Sequence, residues 1–156
     1  VWYLLVLLHV LIVHSWSSFV CSVVGKLMGI NEEDDPHLRW LRFAKNISKH
    51  SDYRIQVGCV ITKGNKPISV GFNKAKYHKV YANPWRKTIH AEVSAIRTSG
   101  KDYIKNSTAY IYREKKNGNP GMARPCEDCM KRLIEFGVRT IYYSTDTYPF
   151  WRVERT

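Results

Sequence analysis

Polar and apolar residues divide this chain into two regimes. Val1 to Val24 contain no Asp, Glu, Lys or Arg, and charges return from Lys26 onward. Asp34-Asp35-Pro36 predicts a helix start, with a capping Asp and Pro at the first helical position. Leu38, Leu41, Ala44 and Ile47, with Trp40 and Phe43 beside them, repeat at helical spacing until His50-Ser51. "QVGCVIT" (56–62) is rich in β-branched residues and predicts a buried strand. "KGNKP" is a turn, and "ISVGF" (68–72) is the returning strand of a hairpin. A polar loop is expected from Asn73 to Thr88. A second helix should run from about Ile89 to Thr98, with Ala91, Val93, Ala95 and Ile96 in the core and Gly100 as its stop. "STAYIYRE" (107–114) alternates as a strand, and "KKNGNPGMARP" is a loop. "CEDCMKRLIEFG" predicts a third helix ending at Gly137, "VRTIYYS" (138–144) a strand, and "YPFWRVER" (148–155) the last one.

Alternating helices and strands imply an α/β domain. Strand–helix–strand crossovers put parallel neighbours in the sheet and helices on its faces. The expected architecture is three-layer, α/β/α, around a central mixed five-stranded sheet. Only twelve residues follow Ser144, too few for a parallel crossover, so the last strand should return antiparallel.

Residues 28–156 form the expected domain, and 1–27 stand apart. That first segment is long enough to cross a bilayer but lacks the basic start of a secretory signal. The first methionine is Met28, so spurious upstream translation is one reading and a membrane anchor the other. Without an anchor the expected location is cytoplasmic.

Charge adds a partner class. Lys and Arg exceed Asp and Glu by twelve, 25 against 13. No acidic residue occurs from Tyr53 to Ala91. Within that stretch the basic loop 74–87 interleaves Lys74, Lys76, Lys79, Arg86 and Lys87 with Tyr77, Tyr81 and Trp85. Such a loop suits the phosphate of a nucleotide substrate, or single-stranded DNA or RNA with its bases stacked on the aromatics. Equally, the charge only solubilises and the rings only anchor the loop. Of the four cysteines, two are isolated and two form C-x-x-C, unlike a secreted disulfide framework. Cys59 reads as a buried strand cysteine.

The chemistry gathers in two places. His90 and Glu92 lie two apart at an expected helix start. Cys126 and Cys129 follow Pro125, three apart in the first turn of another helix. Alone, C-x-x-C fits a redox pair or half of a zinc ribbon, but no second cysteine pair completes a ribbon. Combined with His90, the cysteines make three zinc ligands and leave a position for water, the catalytic pattern of zinc. Glu92 is then close without being a ligand and can move protons.

H-x-E followed by P-C-x-x-C is the zinc-deaminase signature. "HAEVSAI" and "RPCEDCMKRLIEFGVRTIYYS" resemble the cytidine deaminase superfamily, especially its deoxycytidylate deaminase-like members, over roughly Leu38 to Ser144. The resemblance implies a hydrolytic deaminase carrying Zn2+, with Glu92 as proton shuttle while zinc-bound hydroxide attacks a cytosine base and ammonia leaves. It also implies a sugar contact from Asn73, in "GFN", and a base contact from the backbone N–H of Ala91. A homo-oligomer is a further expectation. Members acting on free nucleosides usually have Cys where this chain has His90, yet share its antiparallel last strand. Deoxycytidylate and nucleic-acid deaminases usually have His with a parallel last strand. This chain combines the two patterns. A cytosine nucleotide of the dCMP or cytidine type is the first substrate expectation. The alternative is cytosine or adenine within single-stranded DNA or RNA. A zinc-stabilised binding module without turnover would have no use for Glu92.

Overall fold

The computed structural model describes residues 35–75, 88–99 and 101–156. The hydrophobic segment 1–27, and most of the basic loop with Tyr77, Tyr81 and Trp85, lie outside the described residues. Two compact units divide the chain, Val1–Leu38 and Arg39–Thr156. Of the first, only residues 35–38 are described. There the Asp35 carboxylate accepts the His37 N–H at 2.8 Å, the expected cap just before Pro36. Among the described residues, no helix is long and apolar enough to cross a membrane.

The elements follow the sequence pattern closely. Helix α1 is Pro36–Ser48, β1 is Gln56–Lys63 and β2 is Lys66–Phe72. Two short strands, β3 (Lys74–Ala75) and β4 (Thr88–Ile89), pair antiparallel where only loop was expected. Ladders of two residues are too short to leave a periodic signature. They also delay the second helix, α2, to Ala91–Ser99, because Ile89 is in strand pairing with Lys74. A short helix α3 (Lys101–Ile104) leads to β5 (Ser107–Glu114). Then come β6 (Pro120–Gly121), α4 (Glu127–Glu135), β7 (Val138–Ser144) and β8 (Trp151–Arg155). The last strand is shorter than expected. Tyr148 to Phe150 belong to its turn, where the Phe150 N–H donates to the Thr147 carbonyl at 2.7 Å and the Phe150 carbonyl accepts from Thr145 at 2.9 Å.

The sheet order is β2-β1-β5-β7-β8, with β6 added beside β5. Strands β5 and β7 are parallel, and β8 returns antiparallel to β7, as the short connection between Ser144 and Trp151 requires. The other crossover behaves differently from expectation. β2 and β5 point the same way, but β1 lies between them and is antiparallel to both. A hairpin consumed β2's neighbour before the crossover helix could reach it.

Helices cover both faces. Gly58 lets α1 lie against one face, since a Cβ there would strike the Ala44 carbonyl oxygen and the Ser48 amide. Trp40 of α1 packs on Tyr110, which stacks on Tyr142 at 5.1 Å. On the other face, Gly71 brings α2 equally close, with the Ala91 carbonyl and Ala95 amide in the space a Cβ would need. Cys59, Ile61, Ala91, Ala95, Ala109, Ile111, Leu133 and Ile141 form the core there, beneath α2 and α4. Helix α4 ends where expected, as Gly137 takes φ +81° and its N–H donates to the Ile134 carbonyl.

Candidate metal centre and active-site pocket

Two helix starts meet at one cavity. His90 stands between β4 and α2 and is not helical. Its carbonyl accepts the Ser94 N–H at 3.0 Å. Glu92 follows inside the first turn of α2. The pair therefore spans the helix boundary, and both side chains line the same pocket. Cys126 likewise precedes its helix. It is the cap residue of α4, with extended backbone (φ −67°, ψ 163°), and Cys129 lies in the first turn. The sequence had placed both cysteines within the helix.

The ligand atoms converge. His90 Nδ1 lies 3.6 Å from Cys126 Sγ and 3.3 Å from Cys129 Sγ. All three lie within 4.8 Å of one another, and the group could hold a metal ion. Tetrahedral zinc with Zn–S of about 2.3 Å and Zn–N of about 2.0–2.1 Å separates its N and S ligands by about 3.5 Å. The side chains therefore fit a tetrahedral zinc site, and two soft thiolates beside an imidazole are the donor set zinc favours.

Burial sets the electrostatics. Glu92 is 5% exposed. Burial lifts its carboxyl above the ordinary range, partly offset by its own backbone N–H, the His90 charge and a hydrogen bond with Cys129. Burial and the Glu92 charge also push up the thiols of Cys129 and of Cys59, which is fully buried in β1. A divalent cation reverses this, because a coordinating thiol is deprotonated outright.

The cavity measures about 260 Å³. His90, Ala91, Glu92 and Cys126 form its chemical end, and Asn73 lies in its wall. The Asn73 amide is tied to the backbone. Its Oδ1 accepts the Val57 N–H at 2.8 Å, and its Nδ2 donates to the Ile55 carbonyl at 2.6 Å. Each end keeps one further hydrogen-bonding position. Ala91 opens α2, so its N–H has no partner within the helix. All six residues singled out from the sequence are thus at this site, Cys129 lying just behind the lining.

Sequence reasoning missed Tyr53, Ile55, Arg113, Met122 and Arg124 in the wall. One signal was available. Arg113 shares the strand face of Ala109 and Ile111, placing a charge on a side otherwise apolar.

Residues 34–145 match the family described as "Cytidine and deoxycytidylate deaminase zinc-binding region". The chain is 29% identical over 108 residues to the ComE operon protein 2 of Bacillus subtilis, covering 62% of this chain and 53% of that protein. It is 23% identical over 133 residues to the deoxycytidylate deaminase of Homo sapiens, covering 73% of this chain and 69% of that one. The dCMP deaminase of cyanophage S-TIM5 shares the fold. Its apo structure gives a TM-score of 0.55 at 22% identity, over 74% of this chain and 86% of that one. Its complex with dCMP and dUMP gives 0.54 at 21% identity, over 73% and 84%. By this match over most of its length, the chain belongs to the cytidine and deoxycytidylate deaminase family, a zinc-dependent family of deaminases.

Proposed function

We propose that this protein hydrolytically deaminates a cytosine nucleotide of the dCMP type, with His90, Cys126 and Cys129 holding zinc and Glu92 moving the protons. One observation carries this reading. A buried carboxylate shares a cavity of about 260 Å³ with His90 and Cys126, and Cys129, just behind the lining, completes a set at tetrahedral spacing. A structural zinc site would have no need of that carboxylate. The complex of the cyanophage relative with dCMP and dUMP supports a nucleotide as the substrate.

Zinc, when bound, supplies the Lewis acidity that makes water nucleophilic near neutral pH. Glu92 takes a proton from the water as it adds to C4 of the base. It passes that proton to the ring nitrogen, then takes the remaining proton of the hydroxyl added at C4 and gives it to the amino group, so that the C4–N bond breaks, ammonia leaves and the C4 carbonyl of the uracil form remains. Burial raises the Glu92 carboxyl, so it holds a proton more readily than an exposed carboxylate does. The Ala91 N–H donates to the base carbonyl, and the spare hydrogen-bonding capacity of Asn73 faces the sugar.

The test uses zinc-loaded full-length protein. It is incubated with cytosine and adenine nucleosides and nucleotides, and separately with single-stranded DNA and RNA. Mass spectrometry follows every deaminated product. Conversion of dCMP to dUMP is expected, whereas conversion only within a polymer overturns the substrate assignment. Glu92→Gln should lower kcat by roughly 10²–10⁴-fold with zinc content unchanged. Loss of zinc with activity would make Glu92 a ligand instead.

A further inference from the structure

One cation in the pocket wall has no ion-pair partner among the described residues. Arg113 projects from β5 on the face of Ala109 and Ile111, opposite Val57 of β1 and Gly121 of β6. Its stem lies across Gly121, where a Cβ would come within 3.3 Å of Arg113 Cδ. Its backbone N–H donates to Ser144 Oγ at 3.1 Å, which fixes the strand beneath it. The guanidinium Nε is buried and makes no hydrogen bond among the described residues.

Nearby carboxylates are engaged elsewhere. Glu114, the next residue, pairs with Lys45 at 3.3 Å. Arg124, the other arginine of the wall, is held by Glu154 through two hydrogen bonds of 2.6 and 3.1 Å. The ion pairs of the described residues do not include Arg113. A buried guanidinium donor without a partner costs free energy that an incoming anion recovers. Its planar fork matches the oxygens of a phosphate.

We propose that Arg113 receives the 5′-phosphate of the substrate and so sets the preference for a nucleotide over a nucleoside. This rests on the nucleotide deaminase reading above and assigns the phosphate to the pocket wall rather than to the basic loop 74–87. A cavity of about 260 Å³ is at the small end for ligand sites, which suits one phosphate monoester better than a polymer track.

The experiment compares kcat/KM for dCMP and deoxycytidine in zinc-loaded wild type, Arg113→Gln and Arg113→Lys. The dCMP-to-deoxycytidine ratio should fall about 10–100-fold in Arg113→Gln, mainly through KM, and recover in part in Arg113→Lys. Equal losses on both substrates would mean a purely architectural arginine and overturn the proposal. If Arg113→Gln fails to fold, Arg113→Lys carries the test, with a smaller drop in the same ratio expected and an unchanged ratio overturning the proposal. An oligonucleotide with an internal cytosine and no terminal phosphate forms the third arm. A loss there as large as that on dCMP would assign the anion to a phosphodiester and overturn the monoester. Calorimetric titration with dUMP separates the two readings. If wild type deaminates nothing, the deaminase reading fails, while dUMP binding weakened in Arg113→Gln still upholds the phosphate contact and equal binding removes it.

Discussion

Helices α2 and α4 both begin at the candidate metal centre, yet they are held there in different ways. Each brings one candidate ligand just before its first turn, His90 or Cys126, and one candidate functional group within that turn, Glu92 or Cys129. The start of α2 is sunk in the core. Ala91 is fully buried, and Gly71 is the only residue type that lets β2 approach it so closely. The start of α4 is open, with Cys126 and Glu127 exposed. Hydrogen bonds to the sheet hold its approach instead. Ala123 donates to the Ser144 carbonyl at 2.9 Å, Ser144 Oγ donates to the Gly121 carbonyl at 2.8 Å, and Arg124 pairs with Glu154. The lesson is a division of labour. The carboxylate proposed to move the protons is locked by steric contact. The segment beside the substrate is held by polar bonds at the surface.

The largest test of this contrast separates the two cysteines. Cys126→Ala and Cys129→Ala should both lose most of their zinc, measured by atomic absorption. After chelation they should diverge. Metal-free Cys126→Ala should unfold in urea like the metal-free parent, because Cys126 is exposed, while Cys129→Ala should lose roughly 1–3 kcal/mol for a vacated core position. Equal stabilities would mean that burial does not distinguish the two starts.

Next come the two close-approach glycines. Gly71→Ala should cost about 1–3 kcal/mol by overpacking and should also lower kcat, because it displaces the helix that carries Glu92. Gly58→Ala should cost a similar amount against α1, on the opposite face, and leave kcat of the folded protein near that of wild type. Equal effects on kcat would remove the steric account of α2.

The smallest expected effect is at the polar support of α4. Arg124 and Tyr143 hold the Glu154 carboxyl below its ordinary value of 4.5. A lowered carboxylate stabilises fully above that ordinary value and loses its contribution as pH falls through the lowered native one. Glu154→Gln should therefore melt slightly below wild type at pH 7, and the gap should close on acidification below 4.5. The pair is well exposed, so the gap should be smaller than that for either glycine and should shrink in salt. A gap that grew toward acid would contradict the sign of the coupling.

Several of these features were legible beforehand. Periodicity placed α1, the β1–β2 hairpin and the later strands, because apolar spacing of 3.6 or 2 is a local property. The connection from Ser144 to Trp151 is too short for a parallel crossover, so β8 is antiparallel. H-x-E and P-C-x-x-C named the candidate ligands, since both pairs are close in sequence. Other features rest on residues remote from one another. The β3–β4 pairing joins Lys74 to Ile89 across a loop, and β1 separates two parallel strands that a crossover alone would have made neighbours.

Sequence by itself determined which side chains can do chemistry here and which elements carry them, because residue type and short spacing dictate both. Tertiary structure decided what those side chains face. It brought His90 Nδ1 within 3.6 Å of both sulfurs, buried Glu92 beside them, and set Arg113 in the wall of the same cavity with no hydrogen bond to its Nε among the described residues. The physical reason is that burial and pairing are properties of the space between elements, and only the packed sheet with its two close-set helix starts defines that space.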